Sequence, residues 1–265
     1  MNYFTSGIHS DLNLYKELKK MAASDPDNHL WIVGDILDGN TSHPEYGMEI
    51  LKDIYRTPNV SLILGDHEYA HAMRVFSLSS DNPSRAEEWE DFLLSSMEVS
   101  GKPFMEFLDG LSESDLEDFA RMLMETEATE MIRIGKRLVY MCHGAPALRS
   151  FSKGGSMEWQ FNVINDRIYT DFDYTVAIGS DSRIGVYTKK LGGELDLKNT
   201  IIVTGQTSVE TLEEDGVPKM DGLYYDNRKF CLNQGRTADD TENGDATEKW
   251  TILGIDSAGF ITEEL

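Results

Sequence analysis

The 265-residue chain is 40% apolar, enough to bury a substantial core, and its 47 acidic against 24 basic residues give a formal net charge of −23. A field of that sign repels phosphate backbones and anionic membrane surfaces, which argues against nucleic acid and membrane as partners. No run of about 18 apolar residues is present, and Met1 to Ser10 has neither the basic nor the apolar region of a signal peptide, so a cytoplasmic protein is expected.

In chain order, Tyr3 to Ser6 reads as a short strand. Leu12, Tyr15, Leu18 and Met21/Ala22 then recur at helical spacing behind a capping Ser10 or Asp11. Leu30 to Val33 is a buried strand, Glu45 to Tyr55 a helix that stops before Pro58, and Val60 to Leu64 a third strand. From there to about Glu130 the pattern is helical, broken at Asp81-Asn82-Pro83 and Gly101-Lys102-Pro103. Later strands are expected at Arg137 to Cys142, Tyr174 to Ile178, Thr200 to Thr204, Gly222 to Tyr225, Lys229 to Leu232 and Trp250 to Ile255. Thr237 to Glu248, acidic and without periodicity, reads as a mobile loop. Cys142 and Cys231 lie within strand-like runs and read as buried thiols without a redox or metal role.

Alternating strands and helices followed by a strand-rich half give one α/β domain spanning 1–265. Residues 71–132 form a helical, acidic cap insertion within it. Glu87, Glu88, Glu90, Asp91, Glu113, Asp115, Glu117 and Asp118 there face only Arg85, Lys102 and Arg121 as bases. Such a run is ordinarily a solvated helix face, and its alternative use is docking of a basic protein partner.

Residues able to do chemistry fall where strands end, which is where open α/β sheets build their sites. Gly7-Ile8-His9-Ser10 follows the first strand, Gly34-Asp35-Ile36-Leu37-Asp38-Gly39 the second, and Gly65-Asp66-His67-Glu68 the third. His143-Gly144 and Gly205-Gln206-Thr207 follow later ones. One rim would then present His9, Asp35, Asp38, Asp66, His67, His143 and Gln206, a mixed nitrogen and oxygen set suited to Mn²⁺, Fe, Zn²⁺ or Mg²⁺. Taken singly, Asp35 could merely cap a helix, and His43 and His71 match no motif and read as surface or core residues.

Those five loops, in order, resemble the calcineurin-like metallophosphoesterase pattern, in the branch of bacterial serine/threonine phosphatases and diadenosine-tetraphosphatases. The pattern runs Asp-x-His, Gly-Asp-x-x-Asp-Arg, Gly-Asn-His-Glu, a strand-end His and Gly-His-Thr, and it covers about residues 3–207. The resemblance implies a four-layer sandwich of two mixed β-sheets flanked by helices. It also implies a binuclear metal site in which Asp35 bridges, His9 joins it on the first metal, and Asp66, His143 and Gln206 join it on the second. His67 would be the general acid, oriented by Asp38, and Mn²⁺ the foremost metal, with one or two ions per chain. Arg183 lies near a second phosphate-binding arginine of relatives, although a salt-bridging arginine suits its surroundings as well.

Four positions depart from the pattern: Gly7 for aspartate, Gly39 for arginine, Asp66 for asparagine and Gln206 for histidine. Losing the arginine removes one charge contact to the transition state, worth about 3 to 4 kcal/mol, and Gly7 removes a metal ligand outright. The sequence therefore points to a metal-dependent hydrolase of a phosphomonoester or phosphoanhydride with weakened activity, acting on a small molecule, dinucleotide or phosphoprotein. Its alternative is a pseudophosphatase that binds a phosphorylated or basic partner without turnover.

Overall fold

The computed structural model describes residues 1–79, 83–96, 101–144, 200–207, 219–220, 223–226, 229–235 and 250–265. Three parallel strands, β1 (Asn2–Thr5), β2 (His29–Val33) and β3 (Val60–Ile63), are joined through α1 (Leu12–Ala22) and α2 (Glu45–Ile54). Four helices follow: α3 (Asp66–Ser79), α4 (Pro83–Ser96), α5 (Gly101–Asp109) and α6 (Glu113–Glu125). The remaining elements are strands: β4 (Thr129–Ile134), β5 (Arg137–Cys142), β6 (Thr200–Thr204), β7 (Lys219–Met220), β8 (Leu223–Asp226), β9 (Lys229–Cys231), β10 (Thr251–Ile255) and β11 (Phe260–Glu264).

They build two mixed sheets, ordered β11-β10-β1-β2-β3 and β4-β5-β6-β9-β8-β7. The β1-β2-β3 and β5-β6-β9 sets are parallel, and antiparallel strands complete each sheet. The sheets face one another across Phe4, Val33, Ile63, Leu253 and Ile255 from the first and Val139, Met141, Ile201, Val203 and Phe230 from the second. Side chains buried to this degree contribute about 1.5 to 3 kcal/mol each, so this layer fixes the sheets relative to one another.

On the opposite face of the first sheet, Tyr3, Leu30, Ile32, Val60, Leu62 and Ile252 pack into one cluster with the helices. The alternation of β-strand side chains sends Phe4 into one core and Tyr3 into the other. Helix α1 starts at Asp11, whose carboxylate accepts from the amides of Asn13 and Leu14, and it buries Leu12, Tyr15, Leu18 and Ala22 along one stripe. Phe104, Leu108, Phe119 and Leu123 of α5 and α6 join the same cluster. Among the described residues the fold is thus two mixed sheets with helices packed outside. Tyr140, Cys142, Ile202 and Cys231, on the second sheet's other face, are fully buried.

Helix α3 is buried on nearly every side, which sequence periodicity does not reveal, and Arg74 on it is paired with Asp109 at 2.8 and 3.1 Å. One expectation is corrected here: the helical stretch ends at Glu125, and Thr129–Ile134 is a strand antiparallel to β5 through the turn at Gly135. The expected strand at 174–178, the loop at 237–248 and Arg183 lie outside the described residues. Cys142 and Cys231 are free, buried thiols on β5 and β9. No helix among the described residues is long and apolar enough to cross a membrane.

Candidate metal and phosphate site

Because β1, β2 and β3 run parallel, as do β5, β6 and β9, their C-terminal ends gather at one rim. His9 follows β1, Asp35 and Asp38 follow β2, Asp66 opens α3 after β3, His143 follows β5, and Gln206 follows β6. The two sheets are tied there by Ser6, whose hydroxyl lies 2.7 Å from the carbonyl of Val33 and 3.1 Å from that of Gly205.

The rim loops are held in unusual backbone states. His9, Ser10, Asp35 and Asp38 all have positive φ, between 48° and 63°. Strain of this kind persists only where surroundings over-determine it, and it gathers at functional sites. The loop after β2 is held at Asp35 by Glu68, a residue to which the motifs assign no role. Its buried carboxylate accepts four backbone N–H groups, from Gly65 (3.1 Å), Asp35 (3.0 Å), Ile36 (2.9 Å) and Leu37 (3.0 Å). Burial and the neighbouring Asp35 charge push Glu68 up to about 7, against the His67 charge and the Leu37 amide, which favour the carboxylate. Gly34 is required at its position, since a Cβ there would stand 2.2 Å from Nδ1 of His143.

His143 organises the centre. Its Nδ1 donates to the carbonyl of Val33 at 2.7 Å, which leaves Nε2 facing Asp35 Oδ1 at 3.1 Å and Asp66 Oδ1 at 3.3 Å. Among the described residues neither His143 Nε2 nor Asp35 Oδ1 has a well-formed hydrogen bond, and both are buried. Donor atoms of Asp35, Asp66 and His143 lie within 4.8 Å of one another. Three electron-rich atoms from fully enclosed groups converge, and a cation between them would satisfy all three. Burial opposes charge on His143, yet Asp35 and Asp66 outweigh it and hold that imidazole well above its ordinary pKa; the two carboxylates thus favour positive charge at Nε2, supplied by a proton that a divalent cation would displace on binding. Burial would likewise raise Asp35, but His143, His67 and His9 draw it well below the usual carboxylate range. The donor set therefore fits a divalent metal, with the imidazole fixed by a backbone carbonyl as metal-ligating histidines commonly are.

Gln206 adjoins this group, its amide nitrogen donating to Asp66 Oδ2 at 2.9 Å. His9 stands outside it. Its amide donates to Asp35 O at 2.9 Å, its ring lies 5.6 Å from that of His67, and its buried Nδ1 has no hydrogen-bond partner among the described residues. Burial lowers its pKa, which suits a neutral nitrogen ligand. No aspartate adds to that side, because Gly7 (φ 68°) occupies the position and the Asn233 side chain fills the adjacent space.

Beside the metal group lies a histidine-carboxylate pair. Nδ1 of His67 meets Oδ2 of Asp38 at 3.0 Å, and only 15% of the His67 side chain is exposed. Burial opposes the imidazolium, but the Asp35 charge, the Asp38 hydrogen bond and Asp66 raise His67 to about 10. These charges favour its imidazolium form. His71, which matches no motif, proves to be a buried member of this pair's surroundings, whereas His43 is half-exposed beside Glu45 and stacked on Tyr46. The His67/His71 spacing of four on a helix was the signal available for it.

No protein-family model and no curated protein sequence matches the chain. Among solved structures it is similar to a hypothetical protein from Pyrococcus horikoshii OT3, at 14% identity and TM-score 0.49, covering 100% of this chain and 87% of that one. It is also similar to a metallophosphoesterase from Sphaerobacter thermophilus, at 17% identity and TM-score 0.47, covering 100% and 87%. A protein serine/threonine phosphatase from Saccharomyces cerevisiae follows at 14% identity and TM-score 0.44, covering 100% and 79%.

Proposed function

We propose that the protein is a metal-dependent phosphoesterase of the calcineurin-like metallophosphoesterase kind, in the serine/threonine phosphatase and diadenosine-tetraphosphatase branch. It hydrolyses a phosphomonoester or phosphoanhydride with activity weakened by its altered motifs. The observation that carries this reading is His143 Nε2, turned on two buried carboxylates while Nδ1 is committed to Val33. Asp35, Asp66 and His143 would hold one divalent cation, Mn²⁺ foremost, with Gln206 beside Asp66; His9 would serve a second, weaker position. When bound, the cation supplies Lewis-acid charge at the phosphoryl group and makes an ionised water available near neutrality. His67, its Nδ1 committed to Asp38, offers the proton on Nε2 to the leaving oxygen. Arg183 remains a proposed phosphate contact.

The experiment is metal content of the purified protein together with turnover of p-nitrophenyl phosphate in added Mn²⁺, for the wild type and His143→Ala. Bound metal and turnover in the wild type, both lost in the variant, are expected. Metal-independent turnover, or equal metal binding by both proteins, would overturn the assignment.

A second reading, a pseudophosphatase that binds phosphate or protein without turnover, is favoured by Asn233 standing against Gly7, where the family carries an aspartate. Metal binding with phosphate affinity but no turnover of any phosphoester would select it.

A further inference from the structure

His71 lies one helical turn beyond His67 on α3. Its Nε2 is 3.0 Å from Asp38 Oδ1 and 2.9 Å from Oδ2, and both side chains are fully buried. The same Oδ2 receives His67 Nδ1 at 3.0 Å. A carboxylate only accepts, so the proton of His71 sits on Nε2 and that of His67 on Nδ1. Among the described residues the other nitrogen of His71 has no hydrogen-bond partner, and its ring stands edge-on to Phe104 at 4.9 Å. The polar contacts of this histidine among the described residues thus go to Asp38. Asp38 sits at φ 63° at the end of the second rim loop, and its carboxylate is held from across the site by His67 and His71 of α3.

We infer that His71 is a positioning residue for the general acid, clamping both oxygens of Asp38 so that Oδ2 stays on His67 Nδ1 and His67 Nε2 stays available to the leaving oxygen. This rests on the phosphoesterase reading for its kinetic consequence, and on geometry alone for the hydrogen bond. Without the clamp the carboxylate can turn away, and small displacements of a catalytic group cost about 10- to 100-fold in rate.

The test compares His71→Leu, which removes the donor, with His71→Gln, whose amide can reach the same carboxylate. In Mn²⁺, His71→Leu is expected to lower kcat on an alkyl phosphate by about 10-fold or more, to change kcat on p-nitrophenyl phosphate by less than about threefold, and to leave KM unchanged, because good leaving groups need little proton help. His71→Gln should recover most of the loss, and His71→Leu should add nothing in a His67→Ala background. Equal losses on both substrates, or additive losses in the double variant, would overturn the inference. A proton spectrum supplies a readout that needs no turnover: the His67 Nδ1 proton should be visible in slow exchange in the wild type and in His71→Gln, and be lost in His71→Leu. Its persistence in His71→Leu would equally overturn the role. Should the leucine variant not fold, the glutamine variant decides, retained alkyl phosphatase activity and a retained Nδ1 proton being expected and loss of both refuting it. A wild type that turns over no phosphoester refutes the phosphoesterase reading, while the proton spectrum still decides the clamp.

Discussion

A Cβ placed on Gly7 would stand 3.3 Å from Oδ1 of Asn233, a side chain anchored by Nδ2 to Gln206 O at 3.1 Å and by Oδ1 to the Gly235 amide at 2.8 Å. The space beside Gly7 is therefore taken up by a packed, hydrogen-bonded side chain. Gly7→Asp must push this asparagine aside and also place a side chain at φ 68°, which costs about 1 to 2 kcal/mol for an L-residue. The single variant should lose about that much stability in urea and gain no second equivalent of Mn²⁺ by calorimetry. Gly7→Asp with Asn233→Ser should gain it. Two equivalents in the single variant, at wild-type stability, would show that Asn233 does not obstruct the first metal.

Metal binding should stabilise the fold through His143. At a Mn²⁺ concentration of about 100 times Kd the gain is about 2.7 kcal/mol, several degrees in Tm. In His143→Ala one of three converging donors is gone, so the same Mn²⁺ concentration should leave Tm nearly unmoved. Equal shifts in both proteins would remove His143 from the ligand set.

Glu68 accepts four main-chain amides that bind the second and third rim loops together. Glu68→Ala leaves those buried donors without acceptors, at about 1 to 3 kcal/mol each where water cannot enter. A loss of about 3 kcal/mol or more is expected in urea unfolding, accompanied by weaker metal binding because Asp35 is carried on one of the freed segments. A loss under about 1 kcal/mol would mean the loop conformation is maintained by other contacts.

Away from the site, Asp53 accepts from Lys19 Nζ at 2.6 and 2.9 Å and from the Tyr15 hydroxyl at 2.7 Å. Burial would raise its pKa, but the Lys19 and Tyr15 contacts prevail and lower it. With a folded pKa below the unfolded one, its contribution is present above the unfolded carboxylate pKa and is lost as pH falls through the folded value. Asp53→Asn should accordingly be less stable than wild type near neutrality, with the gap closing at low pH. A difference between the two proteins that does not depend on pH would rule out this linkage.

Strands β1, β2, β3, β5 and β6 were legible because each is a short apolar run bounded by glycine or polar residues. Their loops were legible because several chemically distinctive residues fell at their ends in one order. Strand β4 was hidden by position: Thr129–Ile134 follows directly on the periodic acids of α6, and its alternation of buried and half-buried residues gains meaning only when paired with β5. Strand β11 was hidden by composition, since Phe260–Glu264 is an acidic strand at the edge of its sheet.

Within the site, the sequence by itself determined which donors stand at the strand ends: His9, Asp35, Asp38, Asp66, His67, His143 and Gln206. Propensity and periodicity are local properties, and they suffice to end a strand before such residues. The tertiary structure alone decided what those donors face. His143 meets Asp35 and Asp66 because β5 and β2 lie in opposed sheets, tied where Ser6 reaches Gly205 across 199 positions of chain. Glu68 and His71 gained their roles in the same way, because one turn of α3 passes beneath the loop after β2. The orientation of a lone pair or an N–H group depends on packing between segments remote in the chain, and no pattern read along it contains that information.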